Sequence, residues 1–287
     1  MKGKNVKKII DLHVHSYVSD GSYRPAELAW LAKDRGLAAW ALTDHDNISG
    51  CQEAAEASAQ AGVEFINGME LTAGFEGHKL HIVCLGFDPE HSAWKKVYGR
   101  VRAVKEARLD DIIEYVHNKG VDISMEQVRQ FAYGPLDRYA IMRYLVSLHM
   151  YDRAQPLWDN YLDPAVQEFG LSVNISAEEA LPLVHEAGGK TSLAHYHKSI
   201  GLKGLTRAEQ EDSIRRLHEL GLDGMEAYYP NYTDEDREFA AHMIAKYNLL
   251  ATGGTDFHGT NRPGIELGTG IDCNMQVPYE FFKKLKK

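Results

Sequence analysis

The sequence alternates short apolar, β-branched segments with amphipathic helical stretches, and this alternation limits the possible folds more than any other feature. Seven segments have the composition of strands, at residues 7–15, 37–45, 63–71, 79–87, 189–195, 224–230 and 249–258. Four stretches between them have helical spacing, at residues 25–36, 48–62, 176–189 and 234–248. Strands joined by helices imply a parallel sheet. A chain of 287 residues fits one large barrel or two average domains, and we take the single barrel first.

One long stretch departs from this alternation. Residues 94–170 contain helical patterns at 101–120 and 138–150 but no convincing strand. No internal repeat, low-complexity tract or linker marks the stretch as an independent module. We therefore predict an α/β barrel formed by residues 1–93 and 171–287, interrupted by a helical insertion at 94–170.

The N-terminus and the cysteines bear on location. The first ten residues are basic, but polar residues beginning with Asp11 interrupt the apolar stretch that follows, so no signal-peptide core forms. No apolar run approaches the length needed to span a bilayer. The three cysteines are widely spaced and odd in number, which favours reduced thiols; they are Cys51, Cys84 and Cys273. We expect a cytoplasmic protein that has no membrane partner.

Side chains that commonly bind metals fall at the ends of the predicted strands. His13 and His15 lie two apart on a strand, so their side chains point to one side of it. Other strand ends and the loops after them carry similar residues, namely Asp20, Asp44, His45, Glu70, Asp256 and His258. In a parallel α/β barrel the loops after the strands build the active site, so these residues would converge. So many buried polar groups require compensation, which a bound metal provides.

Other polar residues have simpler explanations. A lone histidine is more often a hydrogen-bonded core or surface residue than a ligand, and we interpret His78, His91, His117, His149, His218 and His242 in that way. Glu226 stays open between a residue that supports a metal ligand and a buried strand carboxylate.

Taken together, the motifs DLHVHSYVSDGS, ALTDHDNISG, NGMEL, the strand around His81, SLAH and GGTDFHG resemble the ordered motifs of the PHP (polymerase and histidinol phosphatase) superfamily. The likeness runs from about Ile10 to Gly268 and is greatest for the stand-alone nucleotide or sugar phosphatase branch. It implies a distorted (β/α)7 TIM-like barrel with a trinuclear metal centre. By this resemblance, His13, His15, Glu70 and Asp256 hold one ion, Glu70, His81 and His195 hold a second, and Asp20, His45 and His258 hold the third.

This ligand set restricts the metal and the substrate. Imidazole and carboxylate without thiolate suit manganese, iron or zinc as divalent ions. Three such ions bring about +6 and the carboxylates of Asp20, Glu70 and Asp256 subtract three charges, leaving about +3 for a phosphate dianion and a bridging hydroxide to balance. We therefore predict that a metal-bridging hydroxide hydrolyses small phosphate esters. The ester is a phosphomonoester or a five-membered cyclic phosphodiester of a ribosyl or nucleotide type.

Individual catalytic roles are also expected, the first from the resemblance and the other two from the residues themselves. Glu70 would bridge two ions and so help to set the charge on their shared hydroxide. Asp44 would orient His45 or a neighbouring water rather than bind metal. His197 is a candidate general acid, although a surface-loop histidine is the more common case.

Substrate recognition falls partly on the insertion. Arg138 and Arg143 align with arginines that in relatives reach over the metal site to a second phosphate, a group that guanidinium binds well. Ala140 stands where relatives that act on nucleoside bisphosphates usually have histidine. Tyr196, followed closely by Lys198, stands where the family commonly has proline. We predict that Arg138, Arg143 and Lys198 bind an altered phosphate ester, with small cyclic phosphodiesters as a second option.

The net charge of −9 disfavours binding along nucleic acid, so the expected partner is a small phosphorylated molecule. Two other functions remain open. A noncatalytic, metal-stabilised module of a larger assembly is disfavoured by the intact ligand set. A metal-dependent amidohydrolase acting on C–N bonds is disfavoured by three ions and the paired arginines. The oligomeric state, the metal and the specific ester are undecided at this point.

Overall fold

The computed structural model describes residues 8–172 and 175–286, which form eight strands and twelve α-helices. The strands are β1 Ile9–Asp11, β2 Ala39–Leu42, β3 Glu64–Phe75, β4 His78–Leu85, β5 Lys190–Leu193, β6 Gly224–Tyr228, β7 Leu250–Gly253 and β8 Val277–Pro278. The helices are α1 Pro25–Asp34, α2 Cys51–Ala61, α3 Ser92–Lys105, α4 Leu109–Asn118, α5 Met125–Arg129, α6 Arg138–Ser147, α7 Gln155–Leu157, α8 Asp163–Glu168, α9 Ala177–Glu186, α10 Arg207–Glu219, α11 Asp234–Tyr247 and α12 Tyr279–Leu285. A π-helical turn, Trp158–Leu162, connects α7 to α8. Residue 7, the first of the first predicted strand, lies outside the described residues.

The strands form one sheet in the order β7-β6-β5-β4-β3-β2-β1-β8. The sheet closes where the chain beyond β1 meets the chain beyond β7. Leu12 N donates to Gly253 O at 3.2 Å, and His15 N donates to Phe257 O at 2.9 Å. The prediction of seven strands in a TIM-like barrel is confirmed, with β8 added antiparallel beside β1.

Strand β4 runs antiparallel to both of its neighbours, so the prediction of a wholly parallel sheet was wrong at this strand. Only Glu76 and Gly77 connect β3 to β4, and both have positive φ, 50° and 81°. A two-residue connection joins antiparallel strands, because a parallel pair needs a long crossover. The start of β4 therefore lies beside the ends of its parallel neighbours, and this places His81 at the same end of the barrel as Glu70.

Two helices of the barrel were not among the predicted ones. Helix α10, between β5 and β6, begins with a capping box in which Thr206 and Glu209 bond to each other's backbone N–H groups. Helix α12 follows β8 and buries Phe282 in a cluster with Ile10 and Val277. Within the described ranges, no helix has both the length and the apolar character needed to cross a lipid bilayer.

The chain packs around distinct apolar clusters. Trp94 and Val97 of α3 lie in the same cluster as side chains of β3, β4 and α9. A separate cluster runs from Leu109 to Leu171 and joins α4, α5, α6 and α8. We keep 94–170 as the proposed insertion between β4 and β5, although its first helix packs with the barrel.

Candidate metal centre

The nine predicted metal ligands converge at one end of the barrel. Their nitrogen and oxygen atoms form three overlapping groups, each with all ligand atoms within 4.8 Å of one another: His15, Asp20, His45 and His258; His13, His15, Glu70 and Asp256; and His45, Glu70 and His81. His195 joins the cluster through its Nε2, 2.9 Å from Glu70 Oε1. The six histidines interpreted as ordinary lie outside these groups.

Glu70, on β3, is the centre of the cluster and is fully buried. Five imidazole nitrogens lie 2.9–3.2 Å from its two oxygens, those of His13, His15, His45, His81 and His195. Burial by itself raises a carboxyl pKa, but the histidines around Glu70 hold its pKa well below the usual range. A single ionised carboxylate shared by five imidazoles fits the bridging position predicted for Glu70.

Many of these contacts are short but lack hydrogen-bond geometry. Buried atoms without a hydrogen-bond partner among the described residues include His13 Nε2, both ring nitrogens of His15, Glu70 Oε2, His81 Nδ1 and His258 Nε2. Buried polar atoms in folded proteins nearly always have a partner, so such a concentration of unpaired lone pairs needs an explanation. Imidazole and carboxylate groups that face one another in this way are a donor set for divalent transition metals. The residues present therefore fit the predicted ions.

Glu226, on β6, supports two of the histidines. Its Oε1 lies 2.7 Å from His13 Nδ1, and its Oε2 accepts a hydrogen bond from His195 N at 2.7 Å. A proton held on Nδ1 leaves the Nε2 lone pair of His13 directed at Glu70 and the site. His195 has a φ of +24°, an uncommon backbone conformation that the Glu226 bond helps to hold. Of the two interpretations left open for Glu226, support of metal ligands matches this geometry.

Asp256 turns its two oxygens in different directions. Its Oδ1 is 3.2 Å from His15 Nε2. Its Oδ2 accepts hydrogen bonds from Tyr229 Oη at 2.7 Å, Arg262 Nη1 at 2.5 Å and Lys198 Nζ at 3.1 Å. Burial raises the pKa of Asp256, but Arg262 and Lys198 lower it more, so the net pKa is well below the ordinary value. The sequence analysis did not identify Tyr229 or Arg262, because neither belongs to a recognisable motif.

The structure corrects the role predicted for Asp44. Its Oδ1 accepts hydrogen bonds from Ser16 N at 2.7 Å and Ser19 Oγ at 2.6 Å, while its Oδ2 accepts one from Ser16 Oγ at 2.7 Å. Both oxygens are thus engaged by the loop that leads to Asp20, and among the described residues neither makes a hydrogen bond with His45. Asp44 is a positioning residue for that loop.

The role predicted for Arg143 is also corrected, because its side chain is buried and does not line the cavity over the predicted ligands. Its Nη1 donates to the carbonyl oxygens of Tyr17, Val18 and Ser19 at 2.8, 3.2 and 3.1 Å. Its Nε donates to Phe131 O at 2.8 Å. These bonds tie helix α6 to the Asp20 loop, so Arg143 positions a ligand instead of binding a second phosphate.

A cavity of about 260 Å³ opens over the metal ligands. Five cationic side chains line it, those of Lys79, Lys105, Arg138, Lys198 and Arg262, together with the aromatic rings of Tyr139 and Trp158. Arg138 donates from Nη1 to Leu171 O at 3.2 Å, and its buried Nε has no partner among the described residues. Arg138 and Lys198 therefore both line the cavity, where each can contact an anion, and their substrate-binding role stays a prediction.

His197 does not line this cavity. Its ring packs among those of Tyr196, Tyr229 and Tyr232, with centroid distances of 6.1, 5.4 and 4.9 Å. The half-buried ring is therefore placed outside the cavity over the predicted ligands. The general-acid role considered for His197 is therefore not supported.

Comparison with known proteins gives consistent results. Residues 11–174 match the family model described as the PHP domain. The chain is 30% identical over 265 residues to a 5'-3' exoribonuclease of Haemophilus influenzae, covering 92% of this chain and 95% of the relative. It is 30% identical over 265 residues to a 3',5'-nucleoside bisphosphate phosphatase of Chromobacterium violaceum, with 90% of each covered. It is also 30% identical over 259 residues to a phosphoribosyl 1,2-cyclic phosphate 1,2-diphosphodiesterase of Eggerthella lenta, covering 88% of this chain and 94% of the relative.

The fold is similar to that of a solved structure from Bifidobacterium adolescentis, which is assigned as a metal-dependent phosphoesterase. The TM-score is 0.82 at 26% identity, and the alignment covers 97% of this chain and 95% of the other. The sequence relatives are a phosphatase, a diphosphodiesterase and an exoribonuclease, which all hydrolyse phosphate esters. Since the family model spans more than half of the chain and the three relatives cover most of it, this chain belongs to the PHP domain family.

Proposed function

We propose that the protein is a metal-dependent phosphoric ester hydrolase that acts on small phosphate esters of a ribosyl or nucleotide type. The observation that carries this proposal is the convergence of eight metal-type side chains around a ninth, the buried carboxylate of Glu70, below a cavity lined by cations. Membership of the PHP domain family supports the class of enzyme.

Three divalent ions, of manganese, iron or zinc, would be held by the nine residues. The clustering supports the set His13, His15, Glu70 and Asp256, and the set Asp20, His45 and His258. The remaining set is Glu70, His81 and His195, supported by two contacts of 2.9 Å to Glu70 Oε1. Bound there, the ions would supply an activated water and neutralise the charge on the phosphoryl oxygens.

The protein's own residues position the substrate. Arg138, Lys198 and Arg262 hold anionic oxygens at the rim, while the rings of Tyr139 and Trp158 form an apolar wall suited to a sugar or base. Glu226 contacts Nδ1 of His13, which leaves Nε2 as the nitrogen that would face an ion. The near-complete burial of the ligands excludes bulk water, which strengthens each electrostatic contact.

The three relatives differ in the ester that their names give as substrate, but each of these substrates carries phosphate on a ribose. We favour two kinds of small substrate: a phosphomonoester that carries a second phosphate, and a five-membered cyclic diester. The small cavity and the net charge of −9 both disfavour a long polyanion. The 5' end of RNA is the second candidate, favoured by the likeness to the Haemophilus exoribonuclease. A cytoplasmic location is also part of the proposal, supported by three free cysteines.

A substrate screen tests the proposal. Protein loaded with Mn²⁺ is assayed on a nucleoside 3',5'-bisphosphate, a five-membered cyclic ribosyl phosphate, a short 5'-phosphorylated RNA and a lactam. We expect the small ribosyl esters to have the highest kcat/KM. Glu70→Gln is the matched control, since it keeps the volume and removes the charge. It should lose both turnover and bound metal by elemental analysis. Metal-loaded protein that hydrolyses only the lactam, or nothing, would contradict the proposal.

A further inference from the structure

A phosphate ester whose leaving group is a sugar hydroxyl requires a proton donor, because an alkoxide is a poor leaving group. His197 does not line the cavity, and the imidazoles around Glu70 are engaged as proposed ligands. Lys105, the last residue of α3, has no role in the site so far. It is only 2% exposed, yet it lines the cavity together with His45 and His81.

Contacts with two residues fix the ammonium group of Lys105. Its Nζ lies 2.8 Å from Asp46 Oδ2 and donates to Tyr139 Oη at 3.3 Å. Asp46 is itself held, because its Oδ1 accepts a hydrogen bond from Thr72 N at 2.7 Å. The Tyr139 ring lies parallel to the ring of His45, with the centroids 6.2 Å apart and an angle of 2° between the planes. The contact with Asp46 is an ion pair and that with Tyr139 is a hydrogen bond, so of the three ammonium protons at least one remains for the cavity.

The surroundings of Lys105 weaken its hold on its protons. Burial lowers the pKa of Lys105 to about 8, and the positive charge of Arg138 contributes to the lowering, while Asp46 and Asp137 partly oppose it. The groups that face the ammonium are Asp46, from the loop after β2, Asp137, Arg138 and Tyr139, from the start of α6, and Asp163, from the start of α8. A proton donor is most effective when its pKa is close to the working pH.

We propose that Lys105 is the general acid of the hydrolysis and protonates the leaving oxygen of the ester. The inference rests on the proposed function. The oxygen of water forms the new bond to phosphorus, and the P–O ester bond breaks with its electron pair on the leaving oxygen. That oxygen takes a proton from Lys105 Nζ and departs as an alcohol, leaving a neutral amine. The attacking water releases a proton to solvent and the amine takes one up from solvent, so protons and charge balance.

Two simpler roles make different predictions. In the first, Lys105 does no more than neutralise Asp46. In the second, it does no more than attract the phosphate of the substrate. In either case its loss affects all phosphate esters to the same degree. A general acid matters for a sugar hydroxyl and hardly at all for 4-nitrophenolate, which leaves without a proton.

The test compares Lys105→Met with Lys105→Arg in the metal-loaded enzyme. Methionine has a similar length and no charge, while arginine keeps the charge but does not release its proton. Each variant is assayed on a ribosyl phosphomonoester and on 4-nitrophenyl phosphate. We expect both variants to lose about 10²- to 10⁴-fold in kcat on the ribosyl ester and less than about 10-fold on the nitrophenyl ester.

A control and two independent readouts complete the design. Lys79→Met removes another cation of the cavity lining and should lower both activities by the same factor. The wild-type rate on the ribosyl ester should fall above about pH 8, and the profile of Lys105→Met should lack this fall. Elemental analysis and thermal unfolding establish that the variants keep their metal and their fold. An NMR titration of the lysine side chains in the wild-type protein requires no variant.

Equal losses on the two esters would overturn the proposal, as would full ribosyl activity in Lys105→Arg. A Lys105 pKa near the value of a free lysine, about 10.4, would also overturn it. The proposed function fails separately, if the wild-type enzyme loaded with metal hydrolyses neither ester.

Discussion

At the scale of single residues, buried carboxylates organise the site by using each oxygen for a different purpose. Glu226 directs one oxygen at His13 Nδ1 and the other at His195 N. Asp256 faces His15 with Oδ1 and three donors with Oδ2. The positions of His13, His15 and His195 therefore depend on buried carboxylates from other strands, which limits how far these proposed ligands can move.

Substituting the two insertion arginines should separate substrate binding from positioning. Arg138→Ala removes a guanidinium that lines the cavity. It should lower kcat/KM about 10-fold to 150-fold for a nucleoside bisphosphate, and much less for 4-nitrophenyl phosphate. Arg143→Ala removes four hydrogen bonds to backbone carbonyls and should lower both activities equally, together with the melting temperature.

Kinetics on both esters, with elemental analysis, measures this difference. Arg143→Lys is the matched control, because it keeps the charge but cannot reach several carbonyls in the same way. A loss confined to the bisphosphate in Arg143→Ala would return Arg143 to the substrate-binding role first predicted from the sequence.

At the scale of secondary-structure elements, the β3–β4 hairpin is where sequence prediction and structure differ most. The segment FEGHK contains no helical spacing, and its Gly77 is a hairpin signal that the alternation of strands and helices obscured. The capping box of α10 was equally visible, as Thr206 followed by Glu209. The hairpin and helix α10 were therefore missed although the sequence contains a signal for each.

Other features could not be predicted from local patterns. The seven strands and the ends that carry the proposed ligands follow from periodicity and motifs. Lys105 and Arg262 belong to no motif and reach the cavity only because distant segments pack together. Arg143 was predicted to bind the substrate because of its position in the insertion. Its carbonyl partners at residues 17–19 are far away in sequence and come next to it only in the folded chain.

Replacement of Gly77 should weaken the hairpin without a steric clash. A Cβ atom at Gly77 meets nothing within 4 Å, so the cost of Gly77→Ala arises from its φ of +81°. We expect about 1–2 kcal/mol of destabilisation in urea unfolding. Gly99→Ala is the control, since Gly99 lies within α3, also with open space at Cβ, and should stabilise the protein by about 0.5–1 kcal/mol. Equal effects of the two substitutions would show that the turn is not constrained.

At the scale of the whole molecule, the proposed ligands come from the ends of β1, β2, β5 and β7 and from within β3 and β4. Ions bound there would join six of the eight strands at one end of the barrel. If the metal binds the folded chain and not the unfolded one, it should raise the free energy of unfolding. The increase is about 2.7 kcal/mol when the free metal concentration is 100 times the dissociation constant.

Removal of metal with a chelator should lower the melting temperature, and added Mn²⁺ should restore it. Calorimetry of the wild-type protein measures the shift, and Glu70→Gln should show a smaller one because its site is impaired. An identical melting temperature with and without chelator, in protein that elemental analysis finds to be loaded before treatment, would contradict this expectation.

The separate apolar cluster from Leu109 to Leu171 has a consequence for how such an enzyme can change. Five cavity-lining residues belong to the segment built around that cluster, namely Arg138, Tyr139, Gln155, Trp158 and Asp163, whereas all nine proposed ligands belong to the barrel. The proposed ligands and much of the cavity wall are thereby carried by separately packed parts of one chain. Substituting the cavity-lining side chains of the segment, with Arg143 and Tyr139 kept, should redirect the enzyme to a new ester while the ligand set stays in place.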